Sequence, residues 1–352
     1  MAKIHFINSD AGRWLCCLAG VTLLACRALG QEYDKEYDPD WTRNFRVGVL
    51  VGLNINASFN VKGKQNISNN NPPGVYDDGY VRVDQTGNAQ GYTSYWGYND
   101  ASQYDGNHTL TMHSGNSFTP TGPTSATTSD EAFVGFDMAY GGQIWRGNRV
   151  RIGWELGFGL LPIKITDSHP ITGTLNSSVF SFDTGGIVMP SVANGPYNGG
   201  SSGIGPTIHD QATQLSDEIV PATITGTRTL DVTLYLIRLG PTMYWDLNRY
   251  IGLEVGVGPA LGIVSGNLKF NENIVTETGG VTHNQGEIGA TETTFGGYVN
   301  STLTFHTVKN GDFYIGVQFI PMNDVTISGQ GREGKLNLGG QVYLSAGINW
   351  PF

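Results

Sequence analysis

From Leu336 to Phe352 every even position is apolar or small: Leu336, Leu338, Gly340, Val342, Leu344, Ala346, Ile348, Trp350 and Phe352. The odd positions carry Asn337, Gly339, Gln341, Tyr343, Ser345, Gly347, Asn349 and Pro351. Period-two alternation predicts a β-strand, and this run of 17 residues is about three times the usual strand length. Such a strand suits a tilted membrane crossing better than a soluble sandwich.

The same pattern recurs upstream. Phe45, Val47, Val49, Val51, Leu53 and Ile55 alternate with Arg46, Gly48, Leu50, Gly52, Asn54 and Asn56. Val134, Phe136, Met138 and Tyr140 alternate with Gly135, Asp137, Ala139 and Gly141. A third apolar face runs through Val150, Ile152, Trp154, Leu156, Phe158 and Leu160. The fourth begins as Leu230, Val232, Leu234 and Leu236 and continues as Leu239, Pro241, Met243 and Trp245. That change of phase predicts a β-bulge. Odd positions from Ile251 to Ile263, Phe295 to Phe305 and Phe313 to Pro321 supply three more, and Leu336 to Phe352 is the eighth.

The connections alternate in length. Arg146-Gly147-Asn148, Leu247-Asn248-Arg249 and Lys309-Asn310-Gly311-Asp312 read as tight turns, with Asn and Gly where positive φ is needed. Long polar stretches lie near 57–131, 166–228, 265–292 and 324–334. Short turns at one end and long loops at the other predict an all-β fold, an eight-stranded antiparallel up-and-down transmembrane β-barrel with long extracellular loops. Gly79–Asp84, His108–Ser114 and Thr174–Phe182 also alternate. None exceeds the lower end of the roughly 9–11 residues of a crossing, so they are expected as hairpins above the membrane. If they crossed, a ten- or twelve-stranded barrel would have a wider lumen.

Composition narrows the class. Glycine numbers 50 of 352 residues and only 14% are charged, against about a quarter in soluble domains. Long coiled coils and charged disordered chains are excluded, and no glycine period of three points to collagen. A formal charge of −10 and the lack of a basic stripe argue against nucleic acid.

Residues 14–26, WLCCLAGVTLLAC, form an apolar run behind Lys3 and Arg13. Its length fits a secretory signal peptide over 1–30 and is too short for a helical span. Ala28-Leu29-Gly30 supplies small residues for cleavage, so a mature barrel domain over 31–352 is expected. The alternatives are a buried helix and a lipobox around Leu23-Leu24-Ala25-Cys26, with lipidation at Cys26. Cys16, Cys17 and Cys26 all lie in this segment, so cleavage leaves no disulfide, thiolate site or cysteine nucleophile.

The signal peptide, the eight amphipathic strands and the terminal Phe352 in step with Trp350, Ile348 and Leu344 resemble small bacterial outer-membrane barrels of the OmpA/OmpX type. The likeness spans about residues 42–352 and lies in architecture rather than an internal motif. It implies an outer-membrane location, a surround of outer-membrane lipid, and an assembly signal at Leu344, Ile348, Trp350 and Phe352 read by the barrel-assembly machinery. In contrast to OmpA itself, no periplasmic domain is expected after Phe352, and the first loop is far longer than is usual in the family.

By parity Arg46, Asp137, Glu155, Arg238, Glu254 and His306 fall on the face opposite the lipid. An eight-stranded barrel is filled by side chains, so these charges must pair with one another. The two interpretations are a stapled polar core and a gateable ion path. Arg238 and Glu254, on successive strands, are one guessed contact. Trp41, Trp145, Trp245, Tyr250, Trp350 and Phe352 sit near the short-turn end, where amphipathic rings settle at headgroups.

The first loop is rich in rings, including Tyr92, Tyr95, Trp96 and Tyr98, set among Asn, Asp and Gly. Such a mixture makes recognition surfaces for a glycan or protein ligand; the same rings could instead form the loop's own core. Asp77-Asp78-Gly79 with Asp84 could gather a calcium ion but lacks EF-hand spacing, so no metal and no cofactor is expected. His209-Asp210 and His113-Ser114 are sequence neighbours, which point to opposite faces of a strand. No nucleophile elbow, HExxH or phosphate loop occurs, so no catalytic residue is assigned. The expected function is a non-enzymatic structural or cell-surface recognition and adhesion role, with a small porin-like channel or transporter for polar solutes as the alternative.

Overall fold

The computed structural model describes residues 42–67, 71–121, 125–129, 132–190, 196–276, 281–308 and 311–352. The segment 1–30 with its three cysteines, Trp41, and the turn residues Lys309 and Asn310 lie outside the described residues. The fold is all-β and antiparallel, with no α-helix among the described residues. Its strands of five or more residues are β1 (Arg43–Leu53), β2 (Asn56–Val61), β3 (Thr109–Pro120), β4 (Ser125–Ser129), β5 (Phe133–Arg146), β6 (Val150–Asp167) and β7 (Ile171–Asp183). They continue as β8 (Glu218–Asn248), β9 (Ile251–Thr276), β10 (Val281–Val308), β11 (Gly311–Phe319), β12 (Val325–Gly329), β13 (Arg332–Asn337) and β14 (Val342–Pro351).

The main sheet runs β6-β5-β1-β14-β11-β10-β9-β8, and β8 pairs again with β6 from Val150 opposite Trp245 to Asp167 opposite Arg228. The hydrogen-bonded path therefore returns to its starting strand. Each strand of this ring pairs with the next along the chain, and the end strands β1 and β14 pair through Asn44 opposite Pro351 to Leu53 opposite Val342.

On β6 the exposed face reads Ile152, Trp154, Leu156, then Pro162, Lys164 and Thr166. The buried face of the same strand reads Arg151, Glu155, then Leu161, Ile163 and Ile165. Parity never changes, but past Leu160 the apolar residues move from outside to inside. β9 does the same: Val257, Pro259 and Leu261 face out below Ile263, whereas Val264, Leu268 and Phe270 are buried above it and Lys269 is exposed. One end of the molecule is apolar outside and polar within; the other has the ordinary arrangement of a protein in water.

This inversion corrects the bulge expected in the fourth strand. Arg238 opposite Ala260 and Thr242 opposite Gly256 keep one register, and the only irregularity between β8 and β9 falls between Asp246 and Asn248. Leu230 to Leu236 and Leu239 to Trp245 occupy opposite faces of one regular strand because they meet different surroundings. The last alternating run is likewise two strands. β13 leaves the ring to pair with β2 and β12, and β14 enters it, so Leu336 and Leu338 are buried while Leu344 and Ile348 are exposed.

One of the expected loops, 265–292, is largely strand, and another, 166–228, is strand at both its ends. β8, β9 and β10, with 31, 26 and 28 residues, carry paired backbone far past the apolar belt, through Ala222 opposite Thr276 and Val275 opposite Val281. The expected loops 166–228 and 265–292 are corrected accordingly. His108–Ser114 and Thr174–Phe182 fall mostly within β3 and β7, which pair with each other, and β7 joins the outer end of β8 with Ile171 opposite Ile224.

A second sheet, β12-β13-β2-β4, lies over the inner face of these extensions. Ile55, Ala57 and Phe59 of the first hairpin region and Val325, Ile327 and Leu336 of the last form one buried cluster with Leu161, Ile163, Leu230, Leu234 and Val264 of the long strands. Asn54, with φ of 58°, makes the turn that lifts the chain from β1 into β2.

Candidate functional site

Inside the polar end of the ring, Arg46, Arg238 and Arg151 each meet a carboxylate and a tyrosine ring. Arg46 Nη2 donates to Glu155 Oε2 and lies 3.0 Å from Glu254 Oε1. Its guanidinium stands 5.7 Å from the Tyr314 ring centre. Arg238 Nη2 donates to Asp137 Oδ1 at 2.6 Å, with Tyr298 at 6.0 Å. Arg151 Nη2 donates to Asp246 Oδ2 at 3.0 Å, with Tyr244 at 5.6 Å. Attraction to the ring face adds to each charge pair at such distances. A Cβ at Gly157 would come within 2.6 Å of Arg238 Nη2, so glycine leaves the room in which that guanidinium sits.

Amides tie the pairs together: Asn300 Nδ2 donates to Glu155 Oε1 and Gln318 Nε2 to Asp137 Oδ2, both at 3.4 Å. His306 Nδ1 lies 3.1 Å from Asp312 Oδ2, and its Nε2 lies 3.0 Å from the Tyr244 hydroxyl. All six residues expected inside are therefore brought into this interior. The guessed contact of Arg238 with Glu254 is not formed, because Arg238 stands opposite Ala260 and Glu254 opposite Tyr244. Arg151, Asp246, Asp312 and the three tyrosines were missed, although the same parity marks them as inward. A cavity of about 20 Å³ bounded by Arg151, Glu155, Thr242, Tyr244 and Glu254 has room for about one water. Above it the buried apolar cluster fills the space between the sheets.

The expected assembly residues Leu344, Ile348, Trp350 and Phe352 all face outward, Phe352 being 58% exposed. Phe45 stacks on Trp350 at 6.2 Å, and Tyr140 lies 5.8 Å from Trp154 and 6.5 Å from Phe352. Trp145 and Tyr250 are exposed at the same short-turn end.

The four first-loop rings divide. Trp96 and Tyr98 are fully buried with Leu110, Met112, Phe182 and Ile208, and their polar tips donate to the Pro206 and Pro190 carbonyls at 2.8 and 2.9 Å. They are corrected from recognition residues to the core of an outer cap, which a loop of this length needs to hold its shape. Tyr92 and Tyr95 stay nearer the surface, Tyr92 against the His209 ring at 4.2 Å and Tyr95 under the Arg82 guanidinium at 5.3 Å.

The acidic residues of that loop are engaged by protein groups. Asp77 Oδ2 accepts from Gly115 N at 2.7 Å and Thr282 Oγ1 at 2.6 Å. Asp78 Oδ2 lies 2.5 Å from His113 Nδ1, whose Nε2 is 3.1 Å from Glu218 Oε1. The hydrogen bond to Asp78 raises the His113 pKa, against an opposing effect of burial, and burial raises that of Asp77. Asp84 instead accepts from Thr86. His209 and Asp210 serve different partners: His209 Nε2 lies 3.9 Å from Asp183 Oδ2, while Asp210 accepts from Asn88 Nδ2 at 2.8 Å.

A second buried ion cluster, not foreseen from the sequence, lies beyond the apolar core. Arg228 Nε donates to Asp167 Oδ2 at 3.1 Å and Nη1 to Glu272 Oε1 at 3.4 Å. Arg332 Nε donates to Glu272 Oε2 and Nη1 to Gln65 Oε1, each at 3.0 Å. Gln65 and Arg332 line a polar cleft of about 1000 Å³ that opens between the first loop, the outer end of β9 and β10, and the β12–β13 hairpin.

No family model and no curated protein matches the chain. Among solved structures it is similar to the attachment invasion locus protein Ail of Yersinia pestis, solved with the heparin analogue sucrose octasulfate (10% identity, 87% of this chain and 98% of that one, TM-score 0.27). It is also similar to the outer membrane protein OprG of Pseudomonas aeruginosa (8%, 89% and 97%, 0.28). A third is the outer membrane protease OmpT of Escherichia coli (11%, 91% and 99%, 0.30). These are the kind of protein that the strand pattern resembles.

Proposed function

We propose that the chain is an eight-stranded, closed transmembrane β-barrel of the bacterial outer membrane, and that it is non-conducting, non-enzymatic and a presenter of large outer loops for recognition at the cell surface. The observation that carries this reading is the filling of the ring: arginine–carboxylate pairs at the polar end and a continuous apolar cluster beyond them. A solute path needs room, and an eight-stranded ring has an interior just wide enough for its own side chains. The apolar outer belt of Ile152 to Leu160 and of Ile251 to Ile263 is long enough for the roughly 9–11 residues of a tilted crossing. Outer-membrane lipid would meet this belt, and the barrel-assembly machinery would read Leu344, Ile348, Trp350 and Phe352.

The test is single-channel recording of the refolded chain in a planar bilayer, with folding verified by a heat-dependent change in gel mobility. Silence from folded, inserted protein is expected. Reproducible open steps, altered by Glu254→Ala or Arg238→Ala, would replace this reading with the small porin-like channel for polar solutes. Protease or lipase activity lost on His209→Ala would overturn the non-enzymatic part.

A further inference from the structure

The geometry points to the amide-lined cleft as a binding site for a neutral oligosaccharide, an inference that rests on the surface-recognition reading and names its ligand class. Seven of the twelve residues lining the cleft are Asn or Gln, and none is a carboxylate or an apolar side chain. A primary amide offers donors and an acceptor on one plane. Sugar hydroxyls are donor and acceptor at once, so a wall of amides matches them.

The volume of about 1000 Å³ stands at the top of the roughly 300–1,000 Å³ range of small-molecule sites. One amide is already short of a partner: Asn284, in the cleft wall, has a buried Nδ2 with no acceptor among the described residues. A buried donor left so is open to an acceptor from outside the chain, such as a sugar hydroxyl. Gly286 leaves room for the Phe270 ring and the Gln330 side chain, since a Cβ there would come within 2.4 Å of the one and 2.7 Å of the other.

Charge disfavours a polyanion. Two cations line the cleft: Lys64 is a single exposed side chain at the rim, and Arg332 is held by Glu272 and Gln65, with Glu272 also receiving Arg228. The cluster of Arg228, Arg332, Asp167 and Glu272 is thus neutral as a set. It serves as a rigid floor and does not offer an anion a free guanidinium. A peptide would find no apolar recess in this lining for its side chains.

The experiment uses the full chain refolded in detergent, applied to an array carrying neutral oligosaccharides (maltoheptaose, chitotetraose, lacto-N-tetraose) and a sulfated heparin tetrasaccharide. Asn271→Ala and Gln285→Ala, both on the exposed rim, and Asn284→Leu, which keeps the side-chain volume, are compared with Tyr95→Ala on the distant cap. Retention of a neutral oligosaccharide that weakens at least tenfold in the cleft variants and not in Tyr95→Ala is expected. Binding lost only in Tyr95→Ala, or retention of the sulfated sugar alone, would overturn the cleft assignment and leave surface recognition standing. No retained sugar and a silent bilayer would overturn the assignment while keeping the sealed barrel. No retained sugar together with open channel steps would remove both.

Discussion

Leu160 and Leu161 are consecutive residues of β6 that face different surroundings: Leu160 closes the apolar outer belt, and Leu161 is fully buried in the interior cluster. The pair marks where the outside of the strand stops meeting hydrocarbon and starts meeting water. A charge placed on the outer face should therefore cost energy according to its height. Leu156→Arg, within the belt, is expected to destabilise by about 2–4 kcal/mol in phospholipid vesicles. Thr166→Arg, on the same face above Leu160, should stay within about 0.5 kcal/mol. Urea unfolding of both variants measures this, and equal costs would remove the boundary.

The ion pairs of the ring interior make the second prediction. Arg46 separates Glu155 from Glu254, so Arg46→Ala leaves two buried carboxylates without their cation. A loss of about 3–5 kcal/mol is expected. Arg46→Met combined with Glu155→Gln and Glu254→Gln removes the charges together and should recover most of it. Denaturation midpoints of the single and triple variants decide the matter; an Arg46→Ala protein as stable as the parent would show the pairs to be idle.

The inward set of Arg46, Asp137, Glu155, Arg238, Glu254 and His306 was legible in the sequence because side chains alternate strictly along a strand. Their partners were not, since a contact across the ring depends on stagger: Arg238 reaches Asp137 on β5 and not Glu254 on the adjacent strand. The two largest departures share one cause. Alternation identifies faces but not what lies against them, so Leu230 to Leu236 followed by Leu239 to Trp245 looked like a slip. By the same reasoning Leu336 to Phe352 looked like one strand, although Leu338 is buried and Leu344 is exposed. The amide cleft had no sequence signal, because Gln65, Asn271, Asn284 and Gln330 come from three separate stretches of chain.

The division of the first-loop rings makes the third prediction. Trp96 is wholly enclosed, stacked on Tyr98 at 6.2 Å and bonded to the Pro206 carbonyl. Trp96→Ala is expected to cost the cap about 3–5 kcal/mol, read as rapid protease cleavage within 71–121 while heat-modifiable barrel mobility persists. Tyr95→Ala removes a surface ring and should leave cleavage rates near those of the parent. Equal protection of Trp96→Ala and the parent would return Trp96 to the recognition surface.

The last prediction concerns pH. His113 on β3 faces Asp78, Glu218 and Asp77, and the Asp78 hydrogen bond holds its pKa above the ordinary 6.5. A group whose folded pKa is raised contributes its stabilisation fully below the unfolded value and loses it as pH rises through the folded one. Asp77, raised above 3.8 chiefly by burial, works in the same direction but in the acid range. The cap should therefore loosen on going from below 6.5 upward, seen as faster amide exchange in β3 and β7, with the ring strands unaffected. His113→Asn should remove the dependence in that window and leave the acid one. Exchange in β3 that slows with rising pH, after correction for the intrinsic base-catalysed rate, would reverse the sign and refute the linkage.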